Sequence, residues 1–390
     1  MKPLPALLLC ATLWATGCAT TPPGPPLPDA QADPVAHGLA MIERAPRRDR
    51  VLWQYRTALH ALRRGQYDTA ARLLDEALVR INNIFGPDRD AKKARSLFHA
   101  ESKKSFIGEP YERVMANFYR GMLYWRAGEV DNARACFRNA QFMDSDAEEK
   151  TYAGDYILMD YLDGYATVKL GGDGADAFQR AQSRAPAPLP AYNPRANLLI
   201  FLEYGPGPQK YATGEYQEQL RFRTFESPVV MAVIKMGTQE LARVGPYDDL
   251  NFQATTRGGR VMDHVLKNKA VFKSATDTAG NVAVIGGAAM TMNDNTQEAG
   301  LVVLGVGLVA KLIAAAANPA ADVRCWDNLP QYLGFAALEL PPGRHPLTIE
   351  FWNRDQAPVA TFTKQWNVTV APDRDTVIFV SDQSVNLMDL

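Results

Sequence analysis

The stretch YRTALHALRRGQYDTAARLLDEALVRI, residues 55 to 81, constrains the fold more than any other part of the chain. Small residues at Ala58, Ala70 and Ala77, a glycine at Gly65, and large residues at Tyr67 and Leu74 sit at helical spacing on either side of a turn. Two antiparallel helices approach closely only where small side chains face each other and large ones fill the gaps beside them. The stretch therefore predicts a helical hairpin. The same scheme returns in FYRGMLYWRAGEVDNARACFRNAQ as Gly121, Gly128, Val130, Ala133, Phe137 and Ala140. A reduced copy is readable in YLDGYATVKLGGDGADAFQRAQSRAP as Gly174, Phe178, Ala181 and Pro186.

This spacing resembles that of tetratricopeptide (TPR) repeats, and it predicts a TPR-like helical solenoid over residues 48–188. The first two copies lie farther apart than a repeat of about 34 residues; the excess is an insertion over about 81–110. There Lys92, Lys93, Arg95, Lys103 and Lys104 stand among Leu97, Phe98 and Phe106. This is either a basic face toward anionic lipid or glycan, or a solvated helix face diluted by Asp88, Asp90 and Glu101. If the first helix of each hairpin faces the concave side, Tyr55, Leu59, Leu62, Met115, Phe118, Met122 and Trp125 form a candidate groove for an apolar helix or extended peptide. The alternative is that these side chains are core.

The amino terminus reads MKPLPALLLCATLWATGC, with one charge at Lys2, an apolar stretch from Ala6 to Trp14, and small residues before Cys18. That order of parts defines a secretory signal peptide over 1–17, too short for a spanning helix with its own flanks. Ala-Thr-Gly-Cys resembles a bacterial lipobox, with Ala15 where Leu is usual. The resemblance implies acylation of Cys18, palmitate among the chains, and anchoring in a membrane, because two buried acyl chains already suffice. Ala19 rather than Asp after the cysteine implies sorting to the outer membrane. Cleavage by the ordinary signal peptidase is the alternative. Residues 18–47 then form a linker. Its segment Ala19–Pro34 carries six prolines and reads as a polyproline spacer of roughly 50 Å at about 3.1 Å per residue.

From residue 189 to 390 the pattern changes. LLIFLEYGPGPQKY, EYQEQLRFRTF and PVVMAVIKM read as strands, and the chain from about 258 to 317 reads as helices. FAALELPPGRHPLTIEFW reads as two strands of one hairpin, similar to those of small β-sandwich surface domains, and VATFTKQWNVTV and DTVIFVSD follow as C-terminal strands. The expectation is an α+β domain with an antiparallel sheet and an apolar helical hairpin. Ala299–Ala317, at about 28 Å, has the length of a hydrocarbon core, yet Lys311 inside it costs about 3 kcal/mol on insertion scales. A buried or subunit-contacting hairpin, giving a homo-oligomer through 299–317, competes with a membrane-inserting oligomer.

Motifs for chemistry are sparse. His37, His60, His99, His264 and His345 lack metal-ligand spacing, and no phosphate loop or nucleophile elbow is readable, so no cofactor, metal or catalytic residue is assigned. A formal net charge of −1 lacks the basic excess of a nucleic-acid binder. Asp144, Asp146, Glu148 and Glu149 miss the glycine of a calcium loop. RGGR, Arg257–Arg260, reads as an anion-holding or plain strand-to-helix turn. Cys136 and Cys325 are free to pair or not. DVRCWD interleaves charge with an aromatic residue, making Asp322, Arg324, Trp326 and Asp327 a candidate junction site. A strand entry anchored by a buried Arg–Asp pair explains it equally.

ESKKSFIGEPYERVMANFYRGMLYWRAGEVDNARACFR, LEYGPGPQK and DVRCWDNLPQYLGFAALELPPGRH together resemble a family of bacterial TPR-containing envelope lipoproteins. The resemblance covers most of the chain after the linker and implies architecture and location, with no activity attached. The expected function is a membrane-anchored envelope scaffold for protein–protein interaction, facing the periplasm or the cell surface. The alternatives are an envelope enzyme acting on glycan or peptide at the junction, and the membrane-inserting oligomer.

Overall fold

The computed structural model describes residues 26–84, 105–145, 154–256 and 320–385. Helix α1 spans Pro34–Arg44, and three helical hairpins follow: α2 (Arg50–Leu62) with α3 (Tyr67–Ile84), α4 (Pro110–Arg126) with α5 (Val130–Asp144), and α6 (Ile157–Lys169) with α7 (Ala175–Arg184). The small residues do what their spacing predicts. Ala58, Ala70, Ala77, Ala133, Ala140 and Ala181 are buried, and a Cβ on Gly121 would come within 2.7 Å of the Phe137 ring. Gly65 and Gly128 turn the chain at φ +69 and +86, a region that favours glycine.

Helix α1 lies inside the segment expected to be linker. Pro34 occupies the first turn, Asp33 accepts a hydrogen bond from the Ala36 N–H at 3.0 Å, and Val35 and Ile42 are buried. Gly38 lets α1 approach Thr57 of α2 so closely that a Cβ there would clash. The short apolar stripe was hidden by the prolines before it.

The strands build two four-stranded sheets and a two-stranded hairpin. Sheet one comprises β1 (Leu198–Pro206), β6 (Asp248–Asp249), β7 (Pro330–Leu338) and β10 (Thr376–Ser381), in the order β10-β1-β7-β6. Sheet two comprises β4 (Met231–Met236), β5 (Gln239–Val244), β8 (Gly343–Trp352) and β9 (Lys364–Val370), in the order β5-β4-β8-β9. β2 (Gln209–Thr213) and β3 (Gln219–Arg223) form the hairpin, and α8 (Leu250–Thr255) follows β6. Two sequence expectations change. β1 and β10 pair in parallel, so sheet one is mixed. β7 and β8 do not form a hairpin: the Pro-Pro-Gly turn carries the chain from sheet one to sheet two.

Sheet one is the middle of three layers. Leu199, Phe201, Leu333, Phe335, Val377 and Phe379 face the helices in one core. Leu198, Ile200, Leu202, Ile378 and Val380 face Ala232, Ile234, Ile349, Phe351 and Val368 of sheet two in another. A strand covered on both faces needs an unbroken apolar run, which LLIFL supplies; β9, covered on one, alternates with Trp366, Val368 and Val370 inward. The first core contains residues from both sides of position 188.

Candidate functional site

The expected groove is filled. Tyr55, Leu59, Leu62, Met115, Phe118, Met122 and Trp125 are all buried, and the side of the helical layer that carries them is occupied by the protein's own sheet. Tyr55 stacks on Trp326 at 4.3 Å between ring centroids, Phe118 meets Phe201 at 5.9 Å, and the Trp125 indole N–H donates to Asp375 at 2.9 Å. An open peptide groove on this face is thereby corrected. Apolar side chains in this number find an internal partner when the following strands present an equally apolar face.

The residues predicted at the junction do come together, as ion-pair partners. Arg324 bonds Asp322 and Asp49, each at 2.6 Å, and Arg56 reaches Asp327 through Nε and Nη2 at 2.8 Å. Trp326 is buried, with its backbone N–H donating to Glu112 Oε1 at 2.6 Å. Beneath lies a buried cluster that sequence reading missed. Glu112 also accepts from the Glu109 N–H, closing a capping box at the start of α4, and pairs with Lys210 Nζ at 2.8 Å. Glu109 pairs with the same ammonium at 3.2 Å. Burial works against the charged form of Lys210, but Glu109 and Glu112 outweigh it and hold the amine above its usual range. Burial pushes the Cys325 thiol up to about 12, which makes it unreactive as a nucleophile; Cys325 and Cys136 are unpaired thiols. A cleft of about 380 Å³ opens here between Asp49, Trp53, Arg56, Lys210 and Arg324. The charged groups in its wall are engaged in ion pairs, Arg324 with Asp49, Arg56 with Asp327, and Lys210 with the buried Glu109 and Glu112.

Two more buried polar locks join helices to sheet one. Arg63 contacts Glu203 of β1 through Nε at 2.7 Å and Nη2 at 2.6 Å, the Tyr119 hydroxyl donates to the same carboxylate, and Arg63 Nη1 donates to Gln383 at 2.8 Å. Asp248 of β6 accepts the Ile157 and Leu158 N–H groups, both at 2.9 Å, at the start of α6. Burial pushes the Asp248 carboxyl up to about 7, against the pull of those two donors. The one readable signal for the first lock was Glu203, an acid inside LLIFLEY.

A second cavity, of about 440 Å³, lies where sheets one and two meet at their β7 and β5 edges. Its walls include Tyr161, Leu189, Leu241, Val244, Phe335 and Ala337. Nothing in the sequence marked it, because its walls come from separate segments spread between Ile157 and Leu338 and each is ordinary alone.

Phe106, placed by sequence on a basic face, is buried, with Lys210 5.6 Å from its ring. Asp144 is buried and accepts the Gly154 N–H at 2.7 Å, a loop clamp. Among the described residues no cluster of His, Cys, Asp and Glu could hold a metal ion, and no helix is long and apolar enough to cross a membrane. Residues 1–18, the lysines and Arg95 of the insertion, Asp146, Glu148, Glu149, Arg257–Arg260 and Ala299–Ala317 lie outside the described residues.

Compared with protein-family models, curated proteins and solved structures, the chain gave no match.

Proposed function

We propose that this chain is an outer-membrane lipoprotein of the bacterial envelope, acylated on Cys18, whose three-layer body serves as an interaction scaffold for another envelope protein. The observation that carries the reading is the order Ala15-Thr16-Gly17-Cys18 followed by the proline spacer. The stacked helical hairpins support TPR-type architecture. The filling of the expected groove moves the partner surface elsewhere, and the cavity at the sheet seam is an apolar recess that supports such use. Envelope fractionation tests the anchor: Cys18→Ser should shift the protein from the membrane to the soluble fraction, and unchanged membrane sedimentation would overturn it. Crosslinking and pull-down from envelope fractions, with the Cys18→Ser form as soluble control, should recover a stable partner; muralytic or peptidase turnover by a partnerless monomer would replace the scaffold with an enzyme.

The enzyme reading is favoured by the cleft at Asp49, Arg56 and Arg324. It is disfavoured by the engagement of those groups in ion pairs, since a general acid or base needs a carboxylate or amine free to meet substrate.

A further inference from the structure

Sheet one closes incompletely along β7. β1 pairs with β7 from Leu338 back to Pro330, whereas β6 covers Leu333 and Tyr332 and then ends. Backbone groups alternate in direction along a strand. Leu338 C=O accepts from the Asn197 N–H on the β1 side at 2.9 Å, and Leu333 C=O accepts from the Tyr247 N–H on the opposite side at 2.8 Å. Phe335 and Ala337 share the parity of Leu333, so their N–H and C=O groups point away from β1, into the cavity at the seam. Among the described residues no backbone group bonds to them there.

The walls of the cavity do not take over this edge. Residues 185–191 read APAPLPA, and Pro186, Pro188 and Pro190 have no N–H to offer. β5 lies across the gap, paired with β4 in the other sheet. Unpaired backbone groups of a strand beside an apolar recess form a template for another strand.

We infer that the seam receives an uncharged, extended segment of a partner protein, which adds to sheet one beside Phe335–Leu338 and sends alternate apolar side chains into the recess. This rests on the scaffold reading and names the recognition mode. Main-chain hydrogen bonds supply affinity, and pockets for every second side chain supply selectivity. Four residues of β7 span about 14 Å at ~3.4 Å each, a docking length of four to five residues. Among the described lining residues Arg243 alone is charged, and Glu240 pairs with it at 2.7 Å. An uncharged segment complements that rim.

The test uses the full mature chain and a pool of fluorescent, N-acetylated, C-amidated heptapeptides that alternate Val, Leu or Phe with Thr or Ser. Anisotropy should show saturable binding, weakened at least tenfold by Ala337→Pro, which deletes an outward donor and leaves the β1 ladder whole. N-methylation of the alternate peptide amides that face β7 should weaken binding equally, while methylation of the other set should not. The peptide arm decides by itself if Ala337→Pro fails to fold by circular dichroism. Absence of saturable binding, or indifference to both methylation patterns, overturns the inference. So does self-association that Ala337→Pro abolishes and the peptides do not compete, which would make the occupant a second copy. An envelope partner captured equally by wild type and Ala337→Pro overturns strand addition while leaving the scaffold intact. Peptide binding by a chain that captures no envelope partner supports strand addition and removes the scaffold.

Discussion

The two faces of sheet one are both buried, yet they are built differently. Toward sheet two the contact is apolar, with Ile200, Leu202, Ile378 and Val380 against Ile234, Ile349 and Phe351. Toward the helices a comparable apolar contact is interrupted by buried locks, Arg63–Glu203–Tyr119 and Asp248 at the start of α6. Apolar burial is roughly proportional to area and says little about register. A buried ion pair adds little net stability, but it is costly to misalign, because one unmatched charge in the interior is strongly unfavourable. The locked face therefore sets where the helical layer sits, and the apolar face adds stability through its area.

This contrast can be broken in order of effect. Glu203→Leu leaves the Arg63 guanidinium buried beside Leu and should cost about 3–5 kcal/mol in urea unfolding. Replacing the lock together, Arg63→Met with Glu203→Leu and Tyr119→Phe, should recover most of that loss. A single-variant cost below about 1 kcal/mol would mean the lock has no positioning role.

The Asp248 lock should appear in the pH dependence. Its folded value of about 7 lies above the ordinary 3.8, so the folded state binds an extra proton between them. Its contribution rises as pH falls from 7 toward 4, by at most about 1.4 kcal/mol per pH unit, and is lost as pH rises through 7. His60 acts in the opposite sense: burial and the charges of Arg63, Arg64 and Arg56 pull it down to about 4, so it lowers stability as pH falls from 6.5. Comparing wild type with Asp248→Asn isolates the aspartate; parallel curves from pH 4 to 7 would refute the assignment.

On the apolar face, Ile200→Val should cost about 0.5–1.5 kcal/mol, with the same value at pH 5 and pH 7. On the outer surface, Val79 is 60% exposed, and Val79→Ser should stay within about 0.5 kcal/mol by thermal melt. A larger loss there would point to a contact beyond the described residues.

The helical hairpins were legible because Ala58, Gly65, Ala70 and Ala77 state a local rule: two helices joined by a short turn can pack closely only there. The strands were legible where coverage imposed a simple period, as in LLIFL and KQWNVTV. Their partners were not. The turn between Leu338 and Gly343 looks like any hairpin turn, and only the sheets it joins decide that it is a crossover. The apolar character of the candidate groove residues is plain in the sequence, but whether they meet a peptide or the protein's own sheet depends on chain 80 to 270 positions away. DVRCWD shows its own charges in the sequence, and the pairing of Arg324 with Asp322 lies within it. Its partners Asp49 and Arg56, and the buried Lys210 beneath, carry no local signature.

The sequence by itself determined which segments are helix or strand and which faces must leave water, because these follow from the few residues around each position. The processing signal proposed at Cys18 is local in the same way, a matter of the few residues before it. Tertiary structure decided what covers each face, which charges meet, and where an edge stays open. Those outcomes depend on long-range closure, in which Glu203 finds Arg63 and β6 stops beside Leu333, so that among the described residues no backbone group bonds to Phe335 or Ala337 on that side.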